Sequence, residues 1–258
     1  MNLRFRDVAK VVQEGGHFSV FELPRGFGVE EITRAMPKKG VFLVETDERE
    51  NYSVKVVEGL REQVRSKQKN ELVLVFRESE RFSEAAQNKF LKLLEEPNEN
   101  VRFIFITEDR SNLLPTVRSR ATTWAVQRIN TRETEVLLAG VSGEKRQQIL
   151  FLAEGLPGEM KKLAGDEKYF RTQVEIVKMA KTLIGGGDYE KLLVAESLKK
   201  DSDKAKEVVG VTINMLKKMV KNNPKLTKLL KRMMEIHEGL SKNVNVRLSL
   251  ASVVLNGK

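Results

Sequence analysis

Four short apolar runs separated by helical patterns leave the first half of this chain little choice of fold: Phe18–Leu23, Val41–Val44, Leu72–Phe76 and Val101–Thr107. Each is short and rich in branched or aromatic residues, without the polar alternation of a strand that faces water on one side. Such runs between helices predict a parallel sheet covered on both faces. A helix is expected over Ser83–Glu96, with Ser83 as N-cap, Ala86, Phe90, Leu93 and Leu94 on one face, and Pro97 as its stop. The first half therefore reads as α/β.

Beyond Trp124 the period changes and no strand is expected. Val208, Val209, Ile213, Leu216, Met219 and Val220 line one side of a long helix ending near Pro224. Leu226, Leu229, Leu230, Met233 and Ile236 line the next. Gly185-Gly186-Gly187 and Asn222-Asn223-Pro224 separate helices. The expected division is an α/β domain over 1–126, a small helical lid over 127–168 and an all-helical domain over 169–258.

Charge follows the same division. Residues 1–126 hold 21 Lys/Arg against 20 Asp/Glu, whereas residues 127–258 hold 25 against 16, which accounts for nearly all of the net +10. A basic second half suits nucleic acid or an acidic partner, and equally suits lysines on the solvated faces of amphipathic helices. The chain has no cysteine and two histidines, His17 and His237, far apart. No disulfide and no metal site is expected. The absence of a long apolar run and of a signal-like N-terminus predicts a cytoplasmic protein.

His17–Met36 has the layout strand, tight turn, helix that presents a phosphate loop. Such loops need glycines for close backbone approach, a Lys for the β/γ-phosphates and a Ser/Thr for Mg²⁺. Pro24, Arg25, Gly26 and Gly28 keep the turn, but Leu23 replaces the first glycine, Val29 the lysine and Glu30 the Ser/Thr. After Leu72–Phe76, the Asp that would hold Mg²⁺ is replaced by Arg77; Glu78, where a water-polarising Glu would stand, remains. Each change opposes nucleotide chemistry: a side chain in a tight turn, a deleted cation, a carboxylate beside a polyphosphate, and a cation in a metal ligand's place.

The stretch from Ser83 to Thr107, with Leu113–Arg120 after it, resembles the AAA+ clamp-loader family. The matching residues are Ala86, Asn88, Leu91, Lys92, Leu94, Glu95, Glu96 and Pro97, then Leu114, Thr116, Ser119 and Arg120; Ala121 stands at the family's cysteine. Asn243–Leu250 resembles the opening of the last helix of that family's collar domain. The resemblance implies a P-loop-like AAA+ domain, a lid and a helical collar, together with an arginine finger, Arg120 of the Ser119-Arg120 pair, that serves the ATP site of an adjacent subunit. A guanidinium fork suits charge developing on a transferring phosphoryl group.

Thr107 matches the sensor-1 region, and Glu159, within Glu154–Glu159, stands where family members carry a sensor-2 Arg. With Val29, Glu30 and Arg77, this implies a non-hydrolysing subunit with no cofactor of its own. ATP–Mg would belong to a neighbour. The implied partners are gamma/tau-like ATPase subunits and a delta-like subunit, with the sliding clamp and primer-template DNA reached through the complex. A four-cysteine zinc module common in relatives is missing, since Val44–Leu72 contains no cysteine. An active AAA+ ATPase with an unusual loop and a stand-alone DNA-binding protein are the competing readings.

Overall fold

The apolar runs become four neighbouring strands, one of them an edge, of one parallel six-stranded sheet in the order β1-β6-β2-β5-β4-β3. The strands are β1 (Asn2–Leu3), β2 (Phe18–Glu22), β3 (Val41–Leu43), β4 (Leu72–Phe76), β5 (Val101–Thr107) and β6 (Thr122–Val126). Every pairing is parallel, with β2 and β5 in register from Phe18↔Phe103 to Glu22↔Thr107. Between the strands run α1 (Val8–Glu14), α2 (Val29–Arg34), α3 (Val54–Gly59), α4 (Arg61–Arg65), α5 (Glu84–Glu95) and α6 (Pro115–Arg118). Then follow α7 (Thr131–Leu137), α8 (Gly143–Ala153) and α9 (Pro157–Gly165).

This computed structural model describes residues 1–65, 70–95, 99–141, 143–242 and 244–255. Glu96, Pro97 and Asn243, singled out above, lie outside them. The chain divides into two units, Met1–Gly165 and Asp166–Lys258. The first unit holds the sheet and also α7–α9.

Phenylalanines weld α5 to the sheet. Phe90 stands 4.8 Å from Phe105 and 5.0 Å from Phe103, and Phe82 stacks on Phe105 at 4.7 Å. Such ring pairs add about 0.5–1.5 kcal/mol each beyond their area burial. The result is a rigid platform from which the loops at the C-terminal ends of the strands project.

Two departures from the sequence reading stand out. The sheet has six strands rather than four, because β1 and β6 carry too weak a pattern: β1 is two residues, and β6 is mostly half-buried Thr122, Thr123, Trp124 and Ala125. Their membership is decided by pairing, as in Phe21↔Trp124. In addition, β3 is an edge strand whose Phe42 and Leu43 are exposed, so its apolar run is not covered on both faces.

The second unit is α10 (Glu167–Gly185), α11 (Asp188–Ser197), α12 (Ser202–Met219), α13 (Thr227–Ser241) and α14 (Val246–Leu255). Most of the expected stripes form its core: Val208, Val209 and Leu216 of α12 are fully buried beside Met233 and Ile236 of α13, whereas Met219, expected on the same side, is exposed because it lies in the last turn of α12 beyond the packed stretch. Asp166, Asp201 and Asn245 cap α10, α12 and α14 by accepting the N–H of Tyr169, Lys204 and Leu248 at 2.9, 2.9 and 3.1 Å. No helix among the described residues is long and apolar enough to cross a membrane.

Candidate functional site

The turn after β2 is built by glycine. Gly26 and Gly28 have φ of +80° and +88°, a region that residues with a Cβ rarely adopt. Leu23 is buried and its N–H donates to the Thr107 carbonyl at 2.8 Å, while Phe27 turns fully into the core. Arg25 is exposed at the tip.

The turn's carbonyls are already bonded. Gly158 N–H donates to the Phe27 oxygen at 2.7 Å and Glu159 N–H to the Gly26 oxygen at 3.0 Å. These are two of the orphan amides at the start of α9. The approach is close enough that a Cβ on Gly158 would stand 2.9–3.0 Å from Phe27 O, Gly26 O and Gly28 Cα. Below the turn, the buried Glu31 carboxylate bonds to Arg34 at 3.0 Å and to Lys161 of α9. The turn after β2 is thus fastened to α9 by two backbone hydrogen bonds and an ion pair. Glu159, the residue at the sensor-2 position, contributes a backbone amide to that fastening.

Beside the turn lies a cavity of about 280 Å³ lined by Val29, Glu30, Tyr52, Arg77, Glu78 and Arg81, among others. Arg77, at the end of β4, reaches Glu30 at 3.6 Å and Glu45 at 3.9 Å. Arg81 holds Glu78 at 2.6 Å and Glu50 at 3.1 Å. Glu78 adopts a left-handed φ of 51°, so the residue at the water-polarising position sits in strained backbone and is turned into an ion pair. Burial pushes the Tyr52 phenol up to about 12, and its hydroxyl donates to the Val44 carbonyl at 3.3 Å.

Both guanidinium groups of the cavity are therefore matched to carboxylates. Val29 supplies no charge, and the wall offers Glu30, Glu50 and Glu78 where a polyphosphate would lie. Among the described residues no group of three or more His, Asp or Glu is placed to hold a metal ion.

The Ser119–Arg120 segment is positioned from a different direction. Leu113 and Val117 are buried anchors, and Pro115 starts α6. The buried Gln87 of α5 clamps the approach: its Nε2 donates to the Asn112 carbonyl at 3.1 Å, and its Oε1 accepts the Leu114 N–H at 2.7 Å. Gln87 was not singled out in the sequence. Its signal was a polar residue beside Ala86 and Phe90 on an otherwise apolar helix face. Asn88, which the family motif does contain, is exposed. Thr107 is buried and accepts the Asp109 N–H through its hydroxyl at 3.1 Å, a turn-forming contact.

Arg118, Ser119 and Arg120 are exposed. Ser119 Oγ and Arg120 Nη1 both donate to the Thr116 carbonyl at 3.1 Å. Arg120 Nη2 lies 3.9 Å from Glu95, with 44% of the arginine side chain accessible. The guanidinium is thus held by one carbonyl and approached by one carboxylate. Among the described residues the Arg118 side chain makes no such bond, and Arg118 directly precedes the Ser119-Arg120 pair.

Comparison with known proteins bears on this part of the chain. A family model described as DNA polymerase III, delta subunit, matches residues 32–130, a span that includes Arg77, Ser119 and Arg120 but begins after the turn. DNA polymerase III subunit delta' of Haemophilus influenzae is 26% identical over 176 residues, covering 57% of this chain and 54% of that protein. The chain thus spans about half the length of that relative. Among solved structures, a DNA polymerase III gamma subunit-related protein of Thermotoga maritima superposes with a TM-score of 0.53 at 15% identity, covering 97% of both chains. That likeness is one of fold. The sequence resemblance to the clamp-loader family is borne out by these matches.

Proposed function

We propose that this chain is a delta-prime-like clamp-loader subunit that does not hydrolyse ATP and lends Arg120 to the ATP site of a neighbour. The family match over 32–130 and the delta-prime relative support the assignment. The observation that carries the non-hydrolysing part is the Glu30–Arg77 approach at 3.6 Å. In a working site the residues at these two places share one Mg²⁺ ion. Here they face each other as carboxylate and guanidinium, which removes the metal's ligands and cancels the charge that would attract phosphate.

In this reading the chain is a cytoplasmic scaffold in a ring of gamma/tau-like ATPase subunits and a delta-like subunit, which loads a sliding clamp onto primer-template DNA. ATP–Mg belongs to the adjacent ATPase. As its γ-phosphoryl group leaves, charge builds on the equatorial oxygens, and the Arg120 fork stabilises it from across the interface. Thr116 and Gln87 hold the backbone that aims it.

The test is reconstitution. Mixing the chain with a gamma/tau-like and a delta-like subunit should give one complex by light scattering. The isolated chain should show no micromolar ATP affinity by calorimetry. Tight ATP binding to the isolated chain would overturn the non-hydrolysing reading, and failure to assemble would overturn the subunit assignment.

A further inference from the structure

The second unit carries a cationic cleft that the clamp-loader reading leaves without a task. From 208 to 234 there is no acidic residue, while seven Lys or Arg lie between Lys217 and Arg232. They gather around the turn that joins α12 to α13. A cavity of about 470 Å³ there is lined by Lys191 of α11, Lys225 before α13, Lys228, Lys231 and Arg232 of α13, and a single acid, Glu235. Leu229 and Val253 give its floor an apolar character.

These charges are not consumed internally. Among the described residues Lys191, Lys225, Lys228 and Lys231 form no ion pair, and the last three are exposed. Arg232 is engaged instead: it bonds Glu235 at 2.9 Å and the Ser252 hydroxyl at 2.8 Å, so the one acid in the lining is neutralised by the one arginine. Nor does helix stability account for the placement. Lys217 and Lys218 sit in the last turn of α12, where the macrodipole favours cations. Lys225, Lys228 and Lys231 instead precede or occupy the first turns of α13, where it disfavours them, and that first turn has no acidic residue.

We propose that this cleft binds the phosphodiester backbone of a nucleic acid strand without reading its sequence. The free cations are all lysines, compact point charges that accept phosphate from any direction. A carboxylate partner is better matched by arginine forks, and the only fork here is already taken. Successive cations on α13 are three residues apart, about 4.5 Å along the axis, so flexible lysine arms can follow consecutive phosphates. The apolar floor can receive sugar edges. The proposal rests on the second unit alone and does not depend on the function proposed above.

Fluorescence anisotropy of the full chain with a labelled 20-nucleotide single-stranded DNA tests it, at several KCl concentrations. With four lysines engaged, log K should fall against log[salt] with a slope of about −3. The triple variant Lys225→Gln/Lys228→Gln/Lys231→Gln should lose about tenfold or more in affinity, and its slope should flatten by about 2. Lys38→Gln/Lys39→Gln/Lys200→Gln removes equal charge from exposed positions elsewhere and should bind like the parent. Circular dichroism verifies that both variants keep their helices. No binding by the parent at low salt, equal loss in both variants, or no loss in the first would each overturn the proposal. So would a polyglutamate peptide of matched charge that binds as tightly with the same dependence on these lysines. That last result would make the cleft a seat for an acidic protein surface.

Discussion

The turn at Leu23–Glu30 and the segment at Ser119–Arg120 follow parallel strands of the same sheet, yet their polar groups are engaged to different extents. At the turn most charges are answered from within, Arg25 at the tip excepted: Glu30 and Glu45 flank Arg77, Lys161 and Arg34 hold Glu31, and α9 amides satisfy the turn's carbonyls. At Arg120 a single carbonyl orders the side chain and the nearest carboxylate is 3.9 Å away. The difference is one of degree: Arg77 meets two carboxylates and is 32% accessible, whereas Arg120 meets one carboxylate and one carbonyl and is 44% accessible. It also changes how the departures from nucleotide chemistry are counted. Read in sequence, Glu30 and Arg77 are two independent losses. In space they face each other across the cavity, with Glu45 as a second carboxylate within reach of Arg77.

The comparison can be broken most decisively at Arg120. In the reconstituted complex, Arg120→Ala should lower hydrolysis at the adjacent site by about 10³-fold or more, the usual worth of an arginine finger. The chain's own stability should change by no more than about 0.5 kcal/mol, as for other exposed residues. Arg120→Lys should rescue in part, because an ammonium keeps the charge and loses the fork. A single-site turnover assay with assembly verified by light scattering checks this, and unchanged turnover would make Arg120 an interface residue only.

A smaller effect, on stability, is expected at the fastening of the turn. Gly158→Val places a branched side chain against the backbone of Gly26, Phe27 and Gly28, atoms that cannot swing away. Overpacking of this kind costs about 1–3 kcal/mol, and both α9 hydrogen bonds would lengthen. Denaturant unfolding of variant and parent measures it. A cost within error would mean that α9 does not hold the turn shut.

The Glu30–Arg77 pair should contribute less. Glu30 is 65% exposed and Arg77 32%, so solvent screens the pair. A double-mutant cycle with Glu30→Gln and Arg77→Gln should give a coupling of about 0.2–1 kcal/mol, shrinking as salt is added. Additive effects at low salt would return the two residues to the status of separate substitutions.

The smallest expected effect is none. Val29→Lys restores the cation of a phosphate loop but leaves Arg77 without a metal-ligating replacement and Glu30 opposite the phosphates. The isolated variant should show no ATP turnover in a phosphate-release assay. Measurable turnover would mean that the missing lysine alone separated this site from an active one.

Much of this was legible in the chain. The strand runs at β2, β4 and β5 and the stripes of α12 and α13 are periodic patterns set by neighbours in sequence, and they reappear within a residue or so. The glycines at 26 and 28 announced a turn, and the run to Leu250 announced the opening of the last helix. The substitutions at Val29, Glu30 and Arg77 needed no structure to be noticed, because residue type alone decides whether a lysine or a metal ligand is present. Strands β1 and β6 were not legible, since short polar segments become strands only when a partner strand supplies the hydrogen bonds.

What the sequence determined by itself was therefore the class of fold, the helix faces and the residue types that stand in the turn after β2 and at the end of β4. What only the tertiary structure decided was which charges meet. Glu30 finds Arg77, Glu31 finds Lys161, Gln87 finds Asn112 and Leu114, and Lys191 joins the lysines of α13, across separations of tens of residues or more. Periodicity reports an environment that each residue shares with its neighbours in the chain. A hydrogen bond or an ion pair falls off within a few ångströms, so it exists only once the packed core has fixed the distance between two distant backbones.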